Sequence, residues 1–342
     1  MCRYKPLDIT KKVLITGAAG FIGYHLSKRL LEAGVNVVGA DNLYCSPDVG
    51  LRLKRADLLK KNYPNFCFEI SNIETYSSIE RVFMKYRPNI VVNLAGKAGV
   101  RQSTENPRAH LETNVMGFFN VLEACKNFPV EHLLYASSSS VYGNQEKTPY
   151  STTDRVDSPI SFYAVTKKMD EIMAFNYSHM HGIPTTGLRF FTVYGPWGRP
   201  DMSYFKWADL IREGKPIDIY NYGEMLRDFT YIDDIVEGIT RMLCNPPAGE
   251  TPYKIYNIGN GTPIPLMTFI ETFEKALGKT AEKNYLPMQA GDVYQTYADT
   301  KDLEKDFDFR PHTSIEYGLQ QFADWYWKYS EERERKEEKE RE

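Results

Sequence analysis

The sequence has 342 residues, of which 42% are hydrophobic and 25% are charged, and its formal net charge is -3. A chain of this length can bury a large core, either in one big domain or in two smaller ones. Such a weak net charge gives no field that would recruit nucleic acid or an anionic membrane, so the expected partners are small molecules or other copies of the chain.

The cysteines and the N-terminal segment favour a cytoplasmic location. The five cysteines are odd in number, scattered and never spaced as Cys-x-x-Cys, which indicates free thiols: Cys2, Cys45, Cys67, Cys125 and Cys244. Residues 1–12 lack the apolar core of a signal peptide, and no apolar run approaches the roughly 18 residues needed to cross a bilayer. The six histidines show no metal-ligand spacing, so we expect no metal site.

A glycine turn joins the first predicted strand to the first predicted helix, in the segment KVLITGAAGFIG from Lys12 to Gly23. An amphipathic helix is predicted over 21–31. Gly17 lets the chain reverse, Gly20 leaves no side chain between backbone and ligand, and Gly23 lets the helix pack closely on the strand. This geometry favours a pyrophosphate at the helix N-terminus, where the helix begins with Phe21 and Ile22, although a glycine triplet alone also fits a plain tight turn.

The second predicted strand, over 36–40, supports the cofactor interpretation. It is followed by Asp41, about 20 residues after the glycine turn, where an acidic side chain would bind the hydroxyls of an adenosine ribose. The same carboxylate would repel a 2′-phosphate. The pattern therefore predicts NAD rather than NADP.

Strand and helix patterns continue to alternate beyond Asp41. Helices are predicted over 51–61 and 76–86 and strands over 66–70 and 90–92, which favours an α/β fold with a doubly wound parallel sheet. The strand from Ile90 ends in a small-residue turn that includes Ala95, at the sheet edge where ligands collect. A long helix is predicted over 109–126, in which Asn114 is either a structural amide or a site residue.

The next strand and helix carry the candidate catalytic groups. A strand from His132 ends in four serines, 137–140, and a helix reaching about residue 180 begins with Tyr163, Ala164, Val165, Thr166 and Lys167. Tyr163 and Lys167 lie one turn apart on one helical face. Tyrosine titrates at about 10 in water, and a neighbouring cation favours the phenolate, which is a competent general base. Taken alone, Tyr163 and Lys167 could also be a surface tyrosine beside a solvated lysine. The serine run, taken alone, could also be an ordinary loop.

In this order, the motifs resemble the extended short-chain dehydrogenase/reductase family up to about residue 328. Within it they are most similar to nucleotide-sugar 4-epimerases and, among these, to UDP-glucuronate 4-epimerases. The most specific segment is LRFFTVYGPWGRPDM, from Leu188 to Met202. The resemblance implies a Rossmann-type NAD-binding domain over 1–190, a smaller α/β domain over 191–328 that mostly binds nucleotide sugar, and a charged tail over 329–342. It also implies a homodimer through helices near 109–126 and 160–180.

The resemblance further implies roles for individual residues. Ser138 would be the catalytic hydroxyl, Tyr163 the base, and Lys167 its lysine and a cofactor contact. The implied cofactor contacts also include Asp41 with Asn42 at the ribose and Asn72 near the adenine, where the family commonly has an aspartate. The implied substrate contacts are Ser139, Ser140, Thr192, Arg199, Arg227 and Asp292. The arginine that neutral-sugar epimerases present to the diphosphate is replaced here by Met288 and Gln289.

Each candidate substrate contact has a chemical reason. Arg199 can bind a sugar carboxylate bidentately, with Thr192 as a hydroxyl donor, although a loop arginine can also bond nearby carbonyls. Arg227 is the candidate for the diphosphate. Asp292 suits a uridine ribose or a plain turn, and Asp233 and Asp234 are expected to cap a helix.

The expected reaction is NAD-dependent 4-epimerisation of UDP-glucuronate to UDP-galacturonate through a transient 4-keto intermediate. Related dehydratases and decarboxylases have an acid just before Val-Tyr-Gly, whereas this chain has Ser140, preceded by Ser139. The alternatives are a UDP-glucose or UDP-N-acetylglucosamine 4-epimerase, a UDP-glucuronate decarboxylase and, outside enzymes, a nucleotide-binding structural protein. The Tyr163 and Lys167 pair argues against the last of these.

Overall fold

The computed structural model describes residues 4–43, 49–289 and 291–341. Its first part alternates strands and helices: β1 (Lys12–Thr16), α1 (Phe21–Glu32), β2 (Asn36–Asp41), α2 (Val49–Asn62), β3 (Phe66–Ile70), α3 (Tyr76–Tyr86), β4 (Ile90–Asn93), α4 (Val100–Glu105), α5 (Pro107–His110), α6 (Gly117–Asn127), β5 (His132–Ser138), α7 (Phe162–His181) and β6 (Thr185–Phe190). The remainder has shorter elements: β7 (Thr192–Tyr194), α8 (Ser203–Arg212), β8 (Ile217–Ile219), β9 (Leu226–Arg227), β10 (Phe229–Tyr231), α9 (Ile232–Met242), β11 (Tyr253–Ile258), β12 (Ile264–Pro265), α10 (Leu266–Leu277), β13 (Lys283–Tyr285), α11 (Lys301–Phe307) and α12 (Ile315–Arg341).

Seven parallel strands form the central sheet, in the order β11-β6-β5-β4-β1-β2-β3. The chain proceeds outward from β1 to β3 and then returns to the other side of β1 to lay down β4. The carboxyl ends of β1 and β4 therefore flank the switch point at which open α/β sheets bind ligands. The predicted Rossmann-type fold is confirmed.

The predicted helix over 109–126 is confirmed, although its hydrogen-bond pattern changes partway along it. The structure has α5, a π-helical turn at Leu111–Met116, and then α6. This wider turn contains Asn114, whose amide donates to Lys97 O at 3.0 Å and to Thr166 Oγ1 at 2.9 Å, while its Oδ1 accepts from Lys97 N at 2.7 Å. The amide is thus fully used in joining the loop after β4 to α7.

The later part of the chain packs back onto the sheet. β11 lies beside β6 at the edge of the main sheet, and α9 packs against α1. Asp233 and Asp234 lie in the first turn of α9, whose N-cap is Tyr231, so the predicted capping role is wrong. Their charges still suit the positive end of the helix, and Asp234 Oδ2 accepts from the amide of Thr313 at 3.0 Å.

The predictions for Cys2 and Cys45 and for the last residue of the charged tail lie outside the described residues. Of the cysteines within them, Cys67, Cys125 and Cys244 are free thiols, as predicted. The tail continues α12 as a helix to Arg341. Over the described ranges, no helix combines the length and the apolar character needed to span a membrane.

Candidate active site

The turn after β1 leaves the start of α1 open to a ligand. Gly17 has a φ of +69°, and a Cβ on Gly23 would lie 2.1 Å from Gly17 O, so a larger residue at either position is excluded. Gly20, the N-cap of α1, has no side chain that could bond the first amides of the helix. These amides suit the pyrophosphate of a dinucleotide, next to the buried Phe21 and the half-buried Ile22.

Asp41 is held beside this turn. Its Oδ2 accepts from Ala19 N at 3.1 Å, its Oδ1 accepts from Leu43 N at 2.9 Å, and Arg52 Nη1 lies 3.3 Å from Oδ1. The carboxylate is buried at the end of β2, where the predicted ribose contact requires it. Arg52 was not identified from the sequence, although it lies in the basic helical segment over 51–61.

The remaining predicted cofactor contacts lie along the same edge. Asn42, half-buried, directly follows β2. Asn72 follows β3, and its amide is already used locally, because Nδ2 donates to Glu74 Oε2 at 3.2 Å and Oδ1 accepts from Glu74 N at 3.1 Å. Ala95 follows β4 and donates its amide to Thr16 Oγ1 at 3.2 Å, which fixes this turn against β1. The structure therefore brings all three to the carboxyl edge of the sheet.

The predicted catalytic pair lies at the start of α7. Ser161 caps this helix by accepting from Ala164 N at 3.2 Å. Tyr163 is half-buried, and Lys167, one turn later, is 5% exposed. Lys167 Nζ donates to Ala136 O and to Asp170 Oδ2, both at 3.1 Å. Burial alone would lower the pKa of Lys167, but the charges of Asp170 and Tyr163 raise it, so the amine is an ammonium ion.

The serines lie where β5 ends. Ser138 is buried, and its Oγ accepts from Ser140 N and donates to Ser140 Oγ, both at 3.1 Å. Ser139 and Ser140 are half-buried in the short helical turn that follows. Because α7 packs against both β5 and this turn, the serines share the edge of the sheet with Tyr163. Ser137 instead donates to Glu171 Oε1 at 2.7 Å and so belongs to the core.

Arg199 has a partner within its own loop. Its Nε donates to Asp201 Oδ1 at 2.9 Å, Nη2 donates to Asp201 Oδ2, and Nη2 also lies 3.4 Å from Ala98 O. The contact with Ala98 places the guanidinium beside the loop after β4, so it is near the switch point. Thr192 is half-buried and begins β7, seven residues before Arg199. Asp201 was part of the quoted motif, but its pairing was not predicted.

A buried arginine joins the Arg199 loop to the cofactor turn. Arg55 on α2 is fully buried and donates to Ala19 O at 3.1 Å, to Trp197 O at 2.6 Å and to Gly198 O at 2.8 Å. Three backbone carbonyls from two distant segments thus share one guanidinium. Its only signal in the sequence was its place in the basic helix over 51–61.

Arg227 and Asp292 lie together, as their predicted roles require. Arg227 Nη1 donates to Tyr294 O at 2.9 Å and Nη2 donates to Val293 O at 2.7 Å. Burial lowers the pKa of Arg227, and the nearby charge of Asp292 opposes this effect. Asp292 Oδ2 lies 3.8 Å from Arg101 Nη2. Arg101, half exposed, adds a second cation that the sequence did not single out.

This edge of the sheet can therefore do three things. Its glycine turn and Asp41 fit a dinucleotide, Tyr163 with Lys167 can exchange a proton with a hydroxyl, and Arg199 and Arg227 can bind anionic groups. Such a combination suits oxidation and reduction at a carbon that bears a hydroxyl, within an anionic substrate.

Known proteins are similar to this chain in sequence and in fold. The model of the NAD dependent epimerase/dehydratase family matches residues 13–259. The chain is 49% identical over 332 residues to Protein CapI of Staphylococcus aureus, covering 93% of this chain and 99% of the relative. It is 45% identical over 330 residues to a probable UDP-glucuronate 4-epimerase of Rhizobium meliloti, covering 92% and 96%. The crystal structure of UDP-glucuronic acid 4-epimerase from Bacillus cereus, in complex with UDP-glucuronic acid and NAD, superposes with a TM-score of 0.86 at 33% identity, covering 93% of this chain and 99% of that one.

Proposed function

The chain belongs to the NAD dependent epimerase/dehydratase family, and we propose that it interconverts UDP-glucuronate and UDP-galacturonate. The observation that carries this proposal is the buried Lys167 one helical turn from Tyr163, at the sheet edge shared with Ser138 and the dinucleotide turn. The similarity to proteins named UDP-glucuronate 4-epimerases selects the sugar acid as the substrate.

The residues at the switch point fit NAD. The turn over 17–23, with Phe21 and Ile22, would hold the pyrophosphate, and Asp41 with Asn42 would hold the adenosine ribose. Asn72, Ala95 and Lys167 complete the proposed contacts. When bound there, NAD would supply a hydride acceptor for C4 of the sugar and would be regenerated by return of the hydride.

In this proposal, side chains of the protein transfer the proton. Tyr163, as phenolate, accepts the proton of the sugar O4 while Ser138 hydrogen-bonds that oxygen. The ammonium of Lys167 stabilises the phenolate. After the 4-keto sugar has turned to present its other face, Tyr163 returns the proton to O4. Ser139 and Ser140 supply further hydroxyls to the sugar.

The sugar carboxylate must be kept still during this cycle. Once C4 is a ketone, the C6 carboxylate belongs to a β-keto acid that can lose carbon dioxide. We assign Arg199 and Thr192 to hold the carboxylate out of alignment with the ketone. The bidentate contact with Asp201 fixes the guanidinium, and Arg227 and Asp292 are assigned to the diphosphate and the uridine ribose.

We also propose a homodimer that forms through α6 and α7. These helices and the π-helical turn before α6 expose apolar side chains, at Met116, Phe119, Ile172, Phe175 and Met180. Such a face suits an isologous contact between two copies of the chain. Sedimentation of the wild-type protein is expected to give a dimer, and Ile172→Glu is expected to give a monomer.

The functional division of the chain near residue 190 and its cellular location are proposals as well. Residues 1–190 would supply most cofactor contacts, residues 191–328 most contacts to the nucleotide sugar, and residues 329–342 a charged helical tail. The free thiols of Cys67, Cys125 and Cys244 suit a cytoplasmic location.

The test is incubation of the purified protein with UDP-glucuronate in deuterated water, followed by analysis of the sugar. We expect UDP-galacturonate without solvent deuterium at C4, because the hydride stays within the site. Deuterium at C4 would contradict internal hydride return. A pentose product with release of carbon dioxide would identify a decarboxylase, and turnover of UDP-glucose alone would identify a neutral-sugar epimerase.

A further inference from the structure

Asp170 is a buried acid on α7 to which the reaction above gives no role. It lies three residues after Lys167 and is 2% exposed. Its Oδ2 accepts from Lys167 Nζ at 3.1 Å, whereas its Oδ1 is buried and has no hydrogen-bond partner among the described residues. A buried carboxylate with only half of its capacity satisfied is costly to keep ionised.

The ammonium of Lys167 serves two acids along one helix. Tyr163 lies four residues before it and Asp170 three residues after it, so all three side chains share one face of α7. Of the three N–H bonds of Lys167, one goes to Asp170 and one to Ala136 O. Because Lys167 and Asp170 are both shielded from water, a change in the charge of Asp170 acts strongly on Lys167 and, through it, on Tyr163.

We propose that Asp170 sets the pH range in which Tyr163 is a base, by competing with the phenolate for the positive charge of Lys167. Ionised Asp170 neutralises the ammonium and disfavours the phenolate. Protonated Asp170 leaves the whole charge to Tyr163. Asp170 is thus a positioning residue that acts through Lys167, and the inference rests on the proposed role of Tyr163 as the base.

The other titratable groups beside Asp170 do not compete with Asp170 and Tyr163 for the charge of Lys167. Asp170 is also faced by Glu171 on α7 and by Tyr135 on β5. Glu171 is already paired with Arg189 at 2.7 and 2.9 Å. Burial raises the pKa of Asp170 to about 7, against the opposing charge of Lys167, so the exchange falls in the neutral range.

Among the described residues, His110 is a further titratable neighbour of Tyr163 on an adjacent element. The ring of His110, on α5, lies edge-on to the Tyr163 ring with a centroid distance of 6.4 Å. Burial lowers the pKa of His110, and the nearby charges of Lys97, Lys167 and Arg199 lower it further. This imidazole therefore stays neutral where Asp170 titrates.

The test compares wild-type protein with Asp170→Asn, which keeps the shape of the side chain and removes its charge. The readout is the ultraviolet absorbance of the phenolate in the NAD-loaded protein without sugar. Because the chain has 24 tyrosines, each spectrum is corrected by the same protein carrying Tyr163→Phe. We expect the Tyr163 titration in Asp170→Asn to move about one pH unit lower. The acid limb of kcat/KM with UDP-glucuronate is expected to move with it.

A matched control removes a different carboxylate that contacts α7. Glu123 Oε1 accepts from Tyr177 OH, about 21 Å along the helix from Tyr163 at the usual rise per residue. Glu123→Gln is expected to leave the titration unchanged. Asp170→Ser, also neutral, is expected to repeat the downward shift, and Asp170→Glu to return toward wild type.

An unmoved or raised titration in Asp170→Asn would overturn the inference. Failure of both neutral variants to fold with NAD would also overturn it, since Asp170 would then serve stability alone. The outcome is separable from the proposed function. A lowered titration without turnover of UDP-glucuronate keeps the role of Asp170 and rejects the substrate, whereas turnover with an unmoved titration does the reverse.

Discussion

The polar groups at the two ends of strand β5 lie in different environments. At its start His132 is fully buried, its Nδ1 donates to Leu243 O at 3.0 Å, and its Nε2 accepts from Thr186 Oγ1 at 2.7 Å. At its other end Ser138 shares the edge of the sheet with Tyr163 and with the buried ammonium of Lys167, because α7 packs against β5.

The difference between the two ends shows how one sheet separates stability from chemistry. Every polar atom of the His132 ring is satisfied within the fold, so the group has nothing to offer a ligand. At the carboxyl end lie Tyr163 and Lys167, the groups proposed to exchange a proton with the substrate. Substitutions at the two ends should therefore affect different quantities, the free energy of unfolding at one and the turnover at the other.

The largest effect is expected from Tyr163→Phe. Loss of the phenol would remove the proposed general base, so kcat should fall about 10³-fold while the midpoint of unfolding barely changes. The measurements are turnover of UDP-glucuronate and NAD released from the denatured protein. Unaltered turnover would remove Tyr163 from the reaction, and a large loss of stability would erase the contrast between the two ends.

Next in size is Arg199→Ala. Loss of the proposed contact between the guanidinium and the sugar carboxylate should raise KM for UDP-glucuronate about 100-fold. Arg199→Lys keeps the charge without the fork and should fall between wild type and alanine. Asp201→Asn is the companion variant. It tests whether loss of the ion pair between Arg199 and Asp201 within the loop is enough to raise KM. An equal KM for the acid sugar in wild type and Arg199→Ala would exclude the carboxylate assignment.

The smallest of the three effects is expected at the start of β5, and it is a dependence of the free energy of unfolding on pH. Burial lowers the pKa of His132 to about 4, so the unfolded chain binds its proton first as the pH falls below 6.5. The stability from this group is therefore complete above pH 6.5 and is lost toward pH 4, by about 1.4 kcal/mol per pH unit.

Denaturant unfolding at pH 7 and pH 5 measures this loss. His132→Asn should be less stable at pH 7 yet show a shallower pH dependence than wild type. His179→Asn alters an exposed histidine and should keep the wild-type slope. A slope that is unchanged in His132→Asn would show that the buried imidazole does not carry the effect.

Local sequence patterns were sufficient where neighbours in sequence are neighbours in space. The glycine turn over 17–23, the alternation that gave the parallel sheet, and the spacing of Tyr163 and Lys167 all depend on short-range geometry. For the same reason Asp170, at i+3 from Lys167, was within reach of the same argument, although a charged pair on a helix usually indicates a solvated face.

Contacts between distant segments could not be predicted in this way. Arg55 meets the carbonyls of Trp197 and Gly198, 142 and 143 residues away, and no local pattern marks it as buried. The π-helical turn around Asn114 likewise depends on Lys97 and Thr166, on two other elements. Hydrophobic periodicity predicts that a helix exists but not where a tertiary hydrogen bond widens it.

The bonds of Arg55 limit how the loop that carries Arg199, and with it the proposed sugar specificity, can be moved to another protein. The loop that carries Arg199 is joined through this one guanidinium to Ala19 in the glycine turn. A relative without an arginine at the position of Arg55 would receive, with the loop alone, carbonyls that have no donor. If the loop sets the preference for an acid sugar, as proposed, moving that preference into such a relative means moving a residue of the second helix together with the loop.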